Sequence, residues 1–89
     1  MKFMITWSLG TTQFKGANAR FLETGAGPPK GVTMLGRWHG TKSGSLVAET
    51  DDIKGLYEWT SQWSDLLDFT VTPVMDDAEL AEVLKRIGS

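Results

Sequence analysis

The chain has 89 residues, 40 % of them apolar and 22 % charged, with nine Lys and Arg against eleven Asp and Glu and no Cys. The missing cysteine excludes disulfide staples, thiolate nucleophiles, iron–sulfur clusters and Cys-type zinc sites. A net charge of −2, with basic residues scattered from Lys2 to Arg86, gives no phosphate-binding footprint and argues against nucleic acid as a partner.

The length predicts one domain over residues 1–89. A domain this small hides only a little more than roughly 60 % of its unfolded surface, so a second copy covering one more apolar face is the natural supplement. The opening run Met1–Trp7 is too short for a signal peptide, and no run approaches 18 apolar residues. A soluble, cytoplasmic protein without membrane contact is expected.

Phe3, Ile5 and Trp7 alternate with Met4 and Thr6, which predicts a first strand. Gly10 breaks it, Thr11 or Thr12 can cap a helix, and Phe14, Ala17, Phe21 and Leu22 recur at helical spacing until Gly25. Gly16 costs this helix about 1 kcal/mol relative to Ala, which either weakens its middle or signals close packing there. Gly25-Ala26-Gly27-Pro28-Pro29-Lys30-Gly31 is a connecting loop, because its prolines remove donors and its glycines loosen the backbone.

Val32 to His39 reads as a second strand, with Val32, Met34, Gly36 and Trp38 on one face and Thr33, Leu35, Arg37 and His39 on the other. A bulge at Gly36 would reverse every later assignment. Gly40 to Gly44 is a hairpin turn, and Ser45 to Thr50 the returning strand. Thr50 or Asp51 caps a second helix whose stripe is Ile53, Leu56, Trp59, Trp63 and Leu66. Asp68 to Val74 alternates as a fourth strand. Asp76 with Glu79 forms a capping box for a last helix carrying Leu80, Val83, Leu84 and Ile87 on one side.

The order β-α-β-β-α-β-α is that of an α+β, ferredoxin-like domain: a four-stranded antiparallel sheet with two helices on one face and an extra C-terminal helix. The second face then needs a cover. Leu35, Val47 and Val74 or Met4 share it with Arg37, His39, Glu49 and Thr70, and a homodimer through this sheet face would hide it.

The mixed face also supplies the candidate site. Arg37 and His39 lie two residues apart, and Glu49 on the neighbouring strand stands close enough to join them. Such a trio binds an anion or polarises a carbonyl, with His39 as proton donor or acceptor. The plainer reading is an Arg37–Glu49 cross-strand ion pair with His39 bonded to the turn. Trp59 and Trp63 read as core, whereas Trp7 and Trp38 end strands and suit core, a cavity rim or a subunit contact equally. Asp51-Asp52 and Asp76-Asp77 begin helices and are explained by capping. One His without Cys provides too few ligands for a transition metal, and no cofactor is expected. Gly25-Ala26-Gly27 follows a helix instead of opening one, so it is no phosphate loop.

Two functions of different class remain. One is a homodimer holding a small, partly apolar, anionic ligand between its sheets, lined by Arg37, His39, Trp38, Glu49 and Thr70. The other is a cofactor-free enzyme of monooxygenase or isomerase type using His39 as base.

Met1–Trp7, the block Gly36-Arg37-Trp38-His39-Gly40 with Gly31-Val32 before it, Glu49-Thr50-Asp51, Trp63–Phe69 and Thr72-Pro73-Val74 resemble a family of small bacterial proteins of unknown function in the dimeric α+β barrel superfamily. The resemblance covers nearly the whole chain. It implies a barrel completed by dimerisation, with an interior formed by the two sheets. The superfamily includes cofactor-free monooxygenases of polyketide quinones, muconolactone isomerases, haem-dependent chlorite dismutases and peroxidases, and stress-response proteins. None of their catalytic residues maps onto a motif of this chain. Three related folds fail on their own signatures: the third strand lacks the aromatics of an RNA-recognition module, the loop Ser8–Thr12 lacks the Arg of an acylphosphatase, and a copper chaperone needs a Cys pair.

Overall fold

The computed structural model describes residues 1–88. The elements are β1 (Lys2–Ser8), α1 (Phe14–Thr24), β2 (Thr33–His39), β3 (Ser43–Glu49), α2 (Ile53–Ser61), β4 (Asp68–Val74) and α3 (Asp77–Arg86). The four strands form one open antiparallel sheet in the order β2-β3-β1-β4, a ferredoxin-like α+β arrangement. β1 lies opposite β3 from Lys2–Glu49 to Ser8–Ser43 and opposite β4 from Lys2–Val74 to Ser8–Asp68.

Alternation sorts β1 as its sequence predicts. Phe3 and Ile5 are buried and Trp7 half-buried, while Met4 and Thr6 point to the other, open side. The pairing puts Leu46 and Ala48 of β3 and Phe69 of β4 on the same side as Ile5. Leu56 and Trp59 of α2 and Val32 complete this core, in which Ile5, Ala48 and Leu56 retain at most 1 % exposure. Trp63 is buried in the turn after α2, as its place in the apolar stripe predicts, but Ile53 at the head of that stripe is exposed.

β2 differs. Met34 pairs with Ala48 and Gly36 with Val47, leaving Leu35 as an extra residue in a bulge. A period of two means that one extra residue moves everything after it to the opposite face. Arg37 therefore stands opposite Leu46 and His39 opposite Gly44, both on the helix side, while Trp38 opposite Ser45 turns to the open side. A Cβ on Gly36 would lie 2.6 Å from the Trp38 ring, so the glycine lets the indole lie over the strand. On the helix side Gly44 does the same for Trp7, whose ring occupies the place of a Cβ.

The helix ends follow local chemistry. The N-cap of α1 is Gln13, not Thr11 or Thr12, with no side-chain cap bond; Thr11 instead accepts a hydrogen bond from Lys42 Nζ at 2.8 Å. Gly25 closes α1 at φ 73°, where a glycine has no steric penalty, and its N–H donates to Phe21 O. α2 is capped by Asp52, not by Thr50 or Asp51. The buried Thr50 hydroxyl accepts from Asp52 N and donates to Gly31 O at 2.8 Å, tying the loop before β2 to the start of α2. α3 has the full Asp76/Glu79 capping box. Arg20 on α1 grips Asp65 bidentately at 2.7 and 2.8 Å and lies over the Trp63 ring.

α3 is the outlier. None of its residues is buried; Leu80, Leu84 and Ile87 are 43, 40 and 63 % exposed. Lys2 holds only its first turn, reaching Asp76 and Glu79 at 3.3 and 3.2 Å and Glu49 at 3.5 Å. The chain extends over 51 × 26 × 17 Å, and its radius of gyration of 15.2 Å exceeds the roughly 12 Å of a compact chain of this length.

Candidate functional site

The bulge in β2 decides where the candidate residues go. Arg37 and His39 lie beneath the helices, whereas Trp38, Glu49 and Thr70 lie on the open side, Thr70 opposite Thr6. The five do not form one site. The Arg37–Glu49 pair does not form either: Glu49 meets Lys2, and Arg37 donates to the carbonyls of Ala26 at 2.7 Å and Gly25 at 3.1 Å.

Those two bonds belong to the exit from α1. Ala26 takes a left-handed conformation at φ 47°, which strains a residue with a Cβ, and the guanidinium clasps the carbonyls on both sides of that turn. It also lies 5.1 Å from the centre of the Phe21 ring. Burial lowers the Arg37 pKa from its ordinary value, yet a guanidinium keeps its proton in a protein, so a fixed positive charge stands here.

Behind Arg37 opens a cavity of about 340 Å³ between the sheet and the helices α1 and α2. Trp7 and Phe69 rise from the sheet, Phe21 descends from α1, and Trp59 and Trp63 close the wall from α2 and the turn after it. His39 stands among them at the hairpin end, exposed to solvent, with its ring edge-on to Trp7 at 5.8 Å and to Phe21 at 5.2 Å. Trp7 and Phe21 thus flank the imidazole edge to face. Asn18, Thr41 and Ser43 add polar groups to the lining. Among the described residues no carboxylate lines the cavity, so its fixed charge is Arg37 alone. Such a wall suits an apolar or aromatic body carrying an acceptor or negative group, and disfavours a cation.

Sequence pattern places Trp59 and Trp63 in the core because they fall on the apolar stripe of the second helix, and it singles out neither Phe21 nor Phe69 as a cavity residue. Nothing in periodicity distinguishes a stripe that packs solid from one that stops short of the sheet. Gly44 faces Trp7 across the β1–β3 pair, but the indole itself fills the room that the glycine leaves, so the pair does not mark the cavity either. No group of three or more His, Cys, Asp or Glu residues is placed to hold a metal ion among the described residues. No helix there is long and apolar enough to cross a membrane.

The fold and the cavity together define a ferredoxin-like α+β chain with an aromatic, cationic pocket between its two layers. A family model described as a domain of unknown function, DUF3303, matches residues 1–88, and the chain belongs to that family. No curated protein and no solved structure matches it.

Proposed function

We propose that this chain binds a small organic molecule, mostly apolar and carrying a neutral acceptor or an anionic group, in the cavity between the sheet and helices α1 and α2. One observation carries the reading: five aromatic rings, His39 and the Arg37 charge line one cavity of about 340 Å³, within the size range of small-molecule pockets. The site expected between two sheets moves to the helix side with Arg37 and His39. Trp38, Glu49 and Thr70 leave it and belong to the face through which a second copy docks. The apolar groups Met4, Leu35, Trp38 and Val47 on that face support a homodimer.

The test uses 2-naphthoate as probe. Isothermal titration should give one site per chain, abolished by Ala17→Leu, which extends a buried cavity-lining residue of α1 into the space. Equal binding by that variant would overturn the assignment. A second reading rests on His39 standing between the Trp7 and Phe21 rings at the cavity mouth: the imidazole takes a proton from an electron-rich substrate held against those rings, without a cofactor. For any substrate found, His39→Gln should abolish turnover while naphthoate binding persists; unchanged turnover would reject the base.

A further inference from the structure

The open face is not uniformly apolar. The pairing places Gly36, Val47, Met4 and Thr72 in one row across the four strands, with Leu35 bulging beside Gly36. Above that row run Trp38, Ser45, Thr6 and Thr70, and below it Thr33, Glu49, Lys2 and Val74. Met4 at 40 % and Leu35 at 53 % exposure thus form with Val47 a narrow apolar band across β2, β3 and β1, onto which the ring of Trp38, 63 % exposed, lies from the row above, and polar side chains fill most of both flanks. A second sheet laid flat on this face would also bury the hydroxyls and charges of the flanks. A single helix would cover the band and leave the flanks in water.

α3 is such a helix. Leu80, Val83, Leu84 and Ile87 follow i, i+3, i+4, i+7 and make one apolar ridge. Its ten residues span about 15 Å, enough to cross the apolar band, which runs over β2, β3 and β1 for about 10 Å at about 4.8 Å per strand and ends beside Thr72 on β4. The Lys2 contacts fix the first turn of α3 at the end of its own sheet, from which the rest projects. The exposed area agrees: 6164 Å² against roughly 5,200 Å² for a compact chain of 9.8 kDa. The excess of about 1,000 Å² matches the roughly 800 Å² per partner of a stable interface.

We infer that α3 is an exchanged arm: in a pair of chains, the α3 ridge of each copy lies across the Leu35–Val47–Met4 band of the other. Mutual exchange about a two-fold axis uses every arm and every band once and closes the assembly at two. The inference rests on the reading that two copies meet at the open face, and it names what covers that face.

The chain lacks cysteine, so introduced thiols report position without background. Val47→Cys and Leu84→Cys chains are prepared separately, mixed in equal amounts and oxidised gently with glutathione, while the unaltered chain is sedimented. The expected result is a species of twice 9.8 kDa and a mixed disulfide at least tenfold more abundant than either homodisulfide. Leu80→Glu with Leu84→Glu, outside the core and therefore fold-neutral, should weaken pairing at least 100-fold. A dimer in which Val47→Cys chains link chiefly to each other would overturn the arm and leave sheet-to-sheet pairing. A monomer at micromolar concentration would overturn both pairing and arm, without touching the helix-side cavity.

Discussion

The two faces of the sheet are made by the same four strands and have opposite fates. On the helix side, Ile5, Ala48 and Leu56 are shielded almost completely, and around them the packing stops short to leave a cavity with one fixed charge. On the open side, Met4, Leu35 and Trp38 stay in water beside hydroxyls and the Lys2–Glu49 pair. β-Alternation sorts residues only into two sets. What each set becomes depends on what the connections lay over it.

The largest effect that should separate the faces is truncation of matched residues. Leu56→Ala, at 1 % exposure, should cost about 2–5 kcal/mol, and Leu35→Ala on the open face within about 0.5 kcal/mol in dilute chain. Urea midpoints at constant slope measure both; equal losses would erase the distinction. Next comes Gly44→Ala, whose Cβ would meet the Trp7 ring and stand 2.8 Å from the Trp38 carbonyl. It should destabilise by about 1–3 kcal/mol through overpacking and shift the Trp fluorescence as the cavity wall moves.

Acid should act outside the core. Arg20 holds the Asp65 carboxyl below its ordinary value of 3.8, and the Glu79 backbone N–H, followed by Lys2, does the same for Asp76. A lowered carboxylate stabilises the fold above the unfolded value of 3.8, and that contribution disappears as pH falls through the lower folded values. The urea midpoint should therefore fall on acidification below about pH 4, and less steeply in Asp65→Asn/Asp76→Asn. The smallest effect is a gain. An added methyl at Gly16 would meet only Leu66 at 3.8 Å, an ordinary contact, so Gly16→Ala should stabilise by about 0.5–1 kcal/mol. The close packing that Gly16 suggested is absent.

Local signals carried most of the fold. β4 occupies Asp68–Val74 as its alternation predicts, and the Asp76/Glu79 box forms as its spacing requires, because both depend on neighbours in sequence. The site was less legible. Gly36 marked a possible bulge, but whether an extra residue enters β2 depends on its pairing with β3, and that single residue carried Arg37 and His39 to the other face. The α3 ridge was plain in the sequence, yet periodicity says that a face is apolar without saying which surface meets it.

The four tryptophans divide between the faces, so their indole N–H signals test the helix-side site most directly. Trp7, Trp59 and Trp63 line the cavity, and Trp38 lies on the open face. In two-dimensional ¹H–¹⁵N spectra recorded during a 2-naphthoate titration, the three cavity indoles should shift together and saturate while Trp38 stays in place. A shift confined to Trp38, or none at all at saturating probe, would rule out a binding site between the sheet and helices α1 and α2.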